Sequence, residues 1–190
     1  DKHLTWDAHV AAVVSKCYGI LIGLSHVRHS IPQNLLPVLV NALVISHVRY
    51  CLAVFGNGSQ QNMHRLQKIQ NFALRVISGR QKFDHISDIR ESLGWPTVPQ
   101  LYRLHSLNFL HKIRSTDEPQ ALASLLQENR DLRSRTTRQD TDLALPRVRT
   151  EAGKRRLFYS IVQHYNSLPE AVRALTPMSF RREVLQYLGD

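Results

Sequence analysis

The chain has 190 residues, 43% of them hydrophobic, and a formal net charge of +10 at pH 7. This length is enough for one core or two small ones, and so large a positive charge argues against an ordinary cytosolic enzyme and favours a polyanionic partner, nucleic acid before membrane. Cys17 and Cys51 are too few for a disulfide framework or a cysteine zinc site, so we expect a reducing nuclear or cytoplasmic location.

The sequence begins with Asp-Lys-His instead of methionine or a signal-like segment, so we expect the natural polypeptide to extend upstream. The sequence predicts that no apolar run reaches the roughly 20 residues of a membrane helix. His26, Arg28 and His29 end one candidate, and Pro37 and Asn41 interrupt the other. The sequence therefore predicts a soluble chain with no membrane partner.

The first two predicted helices are strongly apolar. The first begins after an N-cap at Thr5, and Gly19 and Gly23, one turn apart, suggest a buried helix that a neighbour approaches closely. The second runs from Pro32, which suits a first turn, to about Val54. Its predicted apolar side consists of Leu35, Leu36, Leu39, Leu43 and Val48.

A third helix is predicted over residues 60–78, between a cap at Ser59 and a left-handed glycine at Gly79. The side opposite its apolar residues carries a stripe spaced by four, three and four: His64, Lys68, Asn71 and Arg75. Acidic residues are absent from 59–83. The two cations of the stripe lie about 10 Å apart along the axis, so the stripe could follow a phosphate backbone, although a solvated surface has the same pattern.

The rest of the chain is predicted to contain shorter helices, over residues 84–93, 99–114, 119–128 and 151–165, one opened by the capping box Ser167-Leu168-Pro169-Glu170 and one opened by Thr176-Pro177. No convincing strand pair and no internal repeat occur. The predicted fold class is therefore all-α, an irregular helical bundle.

Residues 129–149 lose helical periodicity and look like an exposed basic connection. Their arginines are Arg130, Arg133, Arg135, Arg138, Arg147 and Arg149. These side chains could solubilise a linker or assist binding through charge alone. A domain boundary is expected just before this stretch or near Gly79. The predicted parts are a helical bundle, a helical connector, a basic linker and a C-terminal helical segment, over 1–80, 81–128, 129–149 and 150–190.

A second candidate binding segment precedes the last predicted helices. Its cations are Arg147, Arg149, Lys154, Arg155 and Arg156, against Glu151 alone, with Gly153 relaxing the backbone among them. Clustering of one sign of charge suits phosphate contacts. Of the aromatic residues that follow, Phe158 and Tyr165 have helical spacing and are predicted to be core, which leaves Tyr159 as the candidate for base stacking.

Catalytic and metal-binding patterns are missing from the sequence. It has no local Ser, His and acid set, no phosphate-cradling glycine loop and no HExxH. His26 and His29 form half of a metal site at best, and Asp84 and Asp88 are interpreted as charges at a helix N-terminus. We expect no catalytic residue, no metal, no cofactor and no small-molecule substrate.

Several blocks, in order along nearly the whole chain, resemble one family. They are "LTWDAHV", "LPVLVNALVISHVRYCLAVFGN", "MHRLQKIQNFALRVISG", "SLGWPTV", "RTEAGKRRLFY" with "YNSLPE", and "SFRREVLQYL". Together they are similar to the C-terminal part of reverse transcriptases from non-long-terminal-repeat (LINE-type) retrotransposons. The block that runs from "RTEAGKRRLFY" to "YNSLPE" is the most specific.

The resemblance implies a helical thumb formed by the first three helices, followed by a C-terminal helical region. It also implies that Lys68, Asn71 and Arg75 face a template-primer duplex, and that residues 147–156 contact template RNA or target DNA. The palm signature Tyr-x-Asp-Asp is absent from the chain, so polymerase chemistry is expected in an upstream palm and fingers of the same polypeptide. A helical protein-interaction module and a stand-alone RNA-binding protein are the alternatives.

Overall fold

The computed structural model describes residues 5–132 and 140–188. The predicted all-α fold is confirmed: within these residues, β structure is limited to one isolated antiparallel bridge between Glu128 and Leu143. The chain divides into two compact units, Asp1–Leu101 (unit 1) and Tyr102–Asp190 (unit 2). The division falls at neither of the places that sequence analysis favoured, near Gly79 or just before residue 129.

Unit 1 is built around one long helix that several others contact. Its helices are α1 (Asp7–Val27), α2 (Leu36–Val40), α3 (Ser46–Arg49), α4 (Leu52–Phe55), α5 (Gln60–Ser78) and α6 (Ser87–Ser92), with a 3₁₀ turn at Arg28–Ser30 and a π-helical turn at Asn41–Ile45. Helices α1, α2 and α6 all pack against α5. Residues at helical spacing on α5 form the centre of this core: Leu66, Ile69, Ala73, Leu74, Val76 and Ile77.

Helix α5 has the ends that the sequence predicts. The Ser59 hydroxyl oxygen accepts a hydrogen bond from the Asn62 backbone N–H at 3.2 Å, which satisfies one of the donors left free at a helix start. At the other end Gly79 adopts φ 76°, and its N–H donates to the Arg75 carbonyl at 2.7 Å. The polar stripe is therefore held on a helix with fixed ends.

The expectation of a deeply buried first helix is wrong. Helix α1 is capped by Trp6 at φ 62°, not by Thr5, and it buries only one narrow side: Val10, Cys17 and Leu21. A Cβ atom added at Gly19 or Gly23 would meet nothing within 4 Å. These glycines therefore face open space and do not mark a close approach.

The exclusion of a membrane-length segment is also corrected. The helical stretch Asp7–Ser30 has 24 residues and an 18-residue window of mean hydropathy 1.6, which by length and composition would suffice to cross a membrane. Helix formation continues through His26, where sequence analysis had ended the apolar run. Core helices of soluble proteins meet the same criterion, and the side of α1 that carries Cys17 does pack into unit 1.

The predicted second helix is broken into pieces. Tyr50 is extended, with ψ 116°, and Cys51 has φ 55°. Helix α3 therefore ends at Arg49, and a new helix, α4, begins at Leu52. The buried side also differs from the predicted one: it is Leu36, Val40, Val44, Ile45 and Val48, whereas Leu35 and Leu43 are 48% and 44% exposed.

Unit 2 is a second, smaller set of helices. Helix α7 (Val98–Thr116) starts in unit 1 and continues into unit 2, and it is followed by α8 (Gln120–Ala123), α9 (Asn129–Leu132), α10 (Glu151–Lys154), α11 (Leu157–Asn166), α12 (Glu170–Arg173) and α13 (Pro177–Tyr187). An apolar residue at every third position of α7 is buried: Leu101, Leu104, Leu107, Leu110 and Ile113. In unit 2 Leu104, Leu107 and Leu110 belong to one core cluster with residues of α11 and α13 such as Tyr165 and Phe180.

Part of the predicted basic linker is packed into unit 2. Leu143 is buried, and its backbone N–H and C=O both bond to the Asn166 side chain, at 3.0 and 2.8 Å. Asp142 forms an ion pair with Arg173 at 2.8 Å. The described part of the stretch is thus anchored, whereas Arg133, Arg135 and Arg138 lie outside the described residues.

The C-terminal helices differ from the prediction at two places. Arg156 takes an extended conformation and separates α10 from α11, so residues 151–165 are not one helix. The capping box at Ser167 does not form: its hydroxyl donates to the His164 carbonyl at 2.7 Å, and Pro169 stands at the N-cap of α12. Thr176 and Pro177 do open α13, as expected.

Candidate nucleic-acid interface

The polar stripe of α5 lines one groove on unit 1. This groove has a volume of about 800 Å³. Its lining includes all four stripe residues together with Tyr18, Ser25, Arg28, Phe72, Val76, Gly79, Arg80, Gln81 and Lys82. The groove therefore joins three elements: the end of α1, the exposed side of α5 and the loop that follows Gly79.

The groove is electropositive. Its cationic lining residues are Arg28, Lys68, Arg75, Arg80 and Lys82, and within the described part of the chain no aspartate or glutamate lines it. Neither Lys68 nor Lys82 takes part in an ion pair among the described residues. Cations on a concave surface without intervening acids attract polyanions through their summed field.

Arg75 is held by backbone carbonyl groups. Its Nε donates to Gln81 O at 3.1 Å, and its Nη atoms donate to Asn71 O and Asp84 O, both at 3.4 Å. Because these acceptors are neutral, the positive charge of Arg75 is not cancelled. Arg75 thus ties the loop after α5 to the helix while it adds charge to the groove.

Arg80 is the one groove cation in an ion pair among the described residues. Its guanidinium meets both carboxylate oxygens of Asp88, at 2.6 and 2.5 Å, and also bonds to the His85 carbonyl. The hydrogen bonds from Arg80 lower the pKa of Asp88. Asp84 Oδ2 instead accepts from the Gln81 backbone N–H at 2.7 Å. The two aspartates therefore brace the loop, and the described residues hold no cluster of three metal-ligating side chains.

Arg28 reaches the C-terminal end of α5. A Cβ atom on Gly79 would collide with the Arg28 guanidinium, so the absence of a side chain lets this cation lie directly over the helix end. Carbonyl groups at a helix C-terminus carry partial negative charge that favours a cation there. Glycine at residue 79 thus serves both the left-handed backbone and the placement of Arg28.

Asn71 is shared with a network of side-chain amides. Gln67 Nε2 donates to Asn71 Oδ1 at 2.9 Å and to Gln70 Oε1 at 2.8 Å, while Gln67 Oε1 accepts from the Val98 N–H. This network fixes the side chain of Asn71. His64 and Lys68, by contrast, are exposed along the same side of α5.

The second predicted segment, residues 147–156, belongs to unit 2 and not to the groove. Arg147 and Arg156 line an apolar cleft of about 500 Å³, whereas Arg149, Lys154 and Arg155 are not among its lining residues. Lys154 is paired with Glu151 at 2.7 Å. The five cations thus do not all line this cleft.

Two other features predicted for this region also change. Gly153 is approached by the Val148 side chain, 3.0 Å from where a Cβ would stand, so its role is close packing within α10. Tyr159 is half-buried and lines the same apolar cleft as Phe158. Of the linker arginines, Arg130 is paired with Glu128 at 2.7 Å.

Sequence analysis missed Tyr18, Arg28, Phe72, Arg80 and Lys82, which line the groove beside the stripe. A signal for the loop cations was present: Arg80 and Lys82 directly follow the glycine that ends α5 and continue the stretch without acids. Arg28 is 47 positions before Arg75 in the sequence, and only the packing of α1 on α5 brings it to the groove.

No protein-family model, curated protein or solved structure matches the chain.

Proposed function

We propose that unit 1 binds the sugar-phosphate backbone of a nucleic acid, without sequence preference, in the groove along α5. One observation supports this most directly: cations from α1, α5 and the following loop line one groove with no lining carboxylate among the described residues. Phosphate contacts from lysine and arginine position a protein on a nucleic acid but read no base.

The sequence resemblance adds a biological setting to this proposal. In that setting the chain is the non-catalytic thumb and tail of a retrotransposon RNA-directed DNA polymerase, which holds template RNA or target DNA while an upstream palm carries out nucleotidyl transfer. The absence of Tyr-x-Asp-Asp from the sequence is consistent with a separate palm.

The proposal predicts a salt-dependent affinity that two lysines control. We expect Lys68→Ala with Lys82→Ala to weaken binding of every oligonucleotide sequence by a similar factor. It should also reduce the slope of log affinity against log salt by about 2, one for each lost phosphate contact. Fluorescence anisotropy with labelled oligonucleotides, between about 50 and 200 mM salt, measures both effects.

Lys16→Ala is the matched control, because Lys16 is an exposed lysine of α1 that does not line the groove. Its slope of log affinity against log salt should stay close to that of the unchanged protein, because the lost charge lies outside the groove. The proposal is wrong if the control and the double variant lose the same affinity, or if the unchanged chain shows no salt-sensitive binding. Recovery of the upstream coding sequence tests the retrotransposon setting separately.

A protein-interaction module is the second candidate function. It is favoured by large apolar side chains on the surface of unit 1, where Val38 is 62% and Tyr50 is 73% exposed. Scattered apolar residues are normal on a protein surface, but groups of them mark interaction sites. Binding that is insensitive to salt would favour this candidate.

A further inference from the structure

The groove of unit 1 contains aromatic as well as cationic residues. The rings of Tyr18 and Phe72 contact each other, with centroids 5.7 Å apart and planes inclined by 35°. Both residues line the groove, and Tyr18 is 37% exposed. Phe72 stands four residues after Lys68 on α5, so an aromatic ring and an unpaired lysine occupy neighbouring positions on one helix side.

A second aromatic side chain stands beside the loop cations. Phe83 follows Lys82 and is 89% exposed, and the Lys82 Nζ lies 5.4 Å from the Phe83 ring centroid. The loop itself is fixed, because Arg75 binds the carbonyls of Gln81 and Asp84. Exposing this phenylalanine side chain to water costs free energy, and no residue of the described core covers it.

Exposed aromatic residues bear on whether the groove suits single-stranded or double-stranded nucleic acid. In a duplex the bases are stacked on one another, so only phosphates and groove edges reach a protein surface. In a single strand each base offers a π-face, and proteins that bind such strands combine cations for the backbone with aromatic rings for the bases. The groove volume of about 800 Å³ also falls in the range of single-ligand cavities, roughly 300–1,000 Å³, which suits a few nucleotides.

We infer that the groove binds an unpaired strand, with a base stacked on Tyr18 and phosphates on Lys68 and Arg28; this inference rests on the proposed function. Phe83 then offers a second stacking surface farther along the strand, next to Lys82. Duplex nucleic acid contacts only the cations of the same groove, and therefore binds more weakly.

The test compares one single strand with its duplex. Labelled oligonucleotides of about 10 nucleotides, single-stranded and paired, are titrated with the full chain at one salt concentration. Loss of a stacked base weakens binding by about tenfold or more, so Tyr18→Ala should lower affinity for the single strand by that factor and leave the duplex unchanged. Lys68→Ala should weaken both.

Two further variants separate stacking from folding. Tyr18→Trp keeps an aromatic face and should retain single-strand affinity, even if Tyr18→Ala lowers stability by removing the contact with Phe72. Tyr50→Ala removes a more exposed tyrosine, 73% exposed and outside the groove lining, and should change neither affinity. Circular dichroism of each variant confirms that the helices remain.

The possible results have different consequences. If Tyr18→Ala weakens single strand and duplex equally, or neither, while Lys68→Ala weakens both, the stacking inference is wrong and the proposed function stands. If Lys68→Ala also has no effect, both fail. Vesicles that contain phosphatidylserine are the last probe: Tyr18-dependent binding to them, without Tyr18-dependent binding to the oligonucleotide, overturns the inference in favour of a membrane surface.

Discussion

At the scale of single residues, Gly79 links the geometry of α5 to the charge of the groove. Its φ of 76° ends the helix, and its missing side chain leaves room for the Arg28 guanidinium. An L-residue with a Cβ in the left-handed region costs about 1–2 kcal/mol. Backbone strain and displacement of a cation are two separate effects at one position, and they can be measured separately.

We therefore predict a difference between two glycine variants. Gly79→Ala should lower the free energy of unfolding of unit 1 by about 1–2 kcal/mol and also weaken nucleic-acid binding, because Arg28 must move. Gly94→Ala has a similar backbone cost at φ 62°, but no atom lies within 4 Å of its added Cβ. It should therefore lower stability and leave binding intact.

Tryptophan fluorescence is the appropriate measurement for unit 1. The chain has two tryptophans, and both Trp6 and Trp95 belong to unit 1. Urea titration followed by fluorescence gives the stability change, and anisotropy gives the affinity. Equal losses of affinity in the two glycine variants would show that Arg28 has no particular role in the groove.

At the scale of secondary-structure elements, α5 and α12 show when a capping motif can be trusted. Ser59 ends a turn and precedes a 19-residue helix with its own apolar side, so the cap and the helix agree. Ser167 precedes only one turn of helix, and its hydroxyl bonds back to the helix that it follows. A local motif is thus effective where packing supports the same helix start.

This contrast predicts two different serine variants. Ser59→Ala should destabilise unit 1 by about 1 kcal/mol, because the Asn62 N–H loses its acceptor at the start of α5. Ser167→Ala removes an exposed hydroxyl that does not cap the start of α12 and should change stability by less than about 0.5 kcal/mol. The fluorescence of unit 1 reports the first variant and far-ultraviolet circular dichroism the second. A larger loss in Ser167→Ala would mean that its motif acts as a cap after all.

Much of the fold could be predicted from the sequence where periodicity and end signals coincide. Helix α5 has the predicted bounds, and α7 covers the predicted range 99–114 and extends it slightly at both ends. The break at Tyr50 and Cys51 could not be predicted, because neither glycine nor proline stands there and the left-handed residue is a cysteine. The π-helical turn at Asn41–Ile45 likewise leaves no local signal in the sequence.

The candidate site was predictable in part for a similar reason. Helical spacing alone brings His64, Lys68, Asn71 and Arg75 to one side of α5. Arg28 and Tyr18 reach the groove through the packing of α1 on α5, a contact between residues far apart in the sequence. Charge counts do not show which side chains line a cleft: of the five cations in residues 147–156, only Arg147 and Arg156 line the one described in unit 2.

At the scale of the whole molecule, both units use some of their cations in internal ion pairs. In unit 2 Arg114 and Arg130 both meet Glu128, and Arg173 meets Asp142. In unit 1 Arg80 meets Asp88 and Arg90 meets Glu91, whereas Lys68 and Lys82 form no ion pair among the described residues. The groove of unit 1 is the proposed polyanion site because no carboxylate lines it among the described residues.

Unit 2 also holds two histidines in surroundings that favour the neutral ring. His111 is 3% exposed, stacks on Phe180 with centroids 3.8 Å apart, and bonds to the Tyr165 hydroxyl and the Leu175 carbonyl. Burial lowers its pKa, and the nearby Arg114 lowers it further. Burial likewise lowers the pKa of His164, with a smaller contribution from Arg103. Both pKa values fall below the ordinary value of 6.5.

These depressed pKa values predict that unit 2 loses stability in mild acid. Well above the ordinary value of 6.5, both rings are neutral in the folded and unfolded chain, so the pH has no effect through them. Below it the unfolded chain binds protons that the folded unit resists, and stability declines until the pH passes the folded pKa values.

Urea unfolding at about pH 7.5 and about pH 5.5 checks this prediction. The transition seen by far-ultraviolet circular dichroism but not by tryptophan fluorescence belongs to unit 2, and its midpoint should be lower at the acidic pH. His164→Gln removes one titrating ring whose Nδ1 is buried without a hydrogen-bond partner, and it should reduce the difference between the two midpoints. His26→Gln changes an exposed histidine of unit 1 and should leave the difference between the two midpoints of unit 2 unchanged. Identical midpoints at both pH values would mean that neither buried ring resists protonation in the folded state.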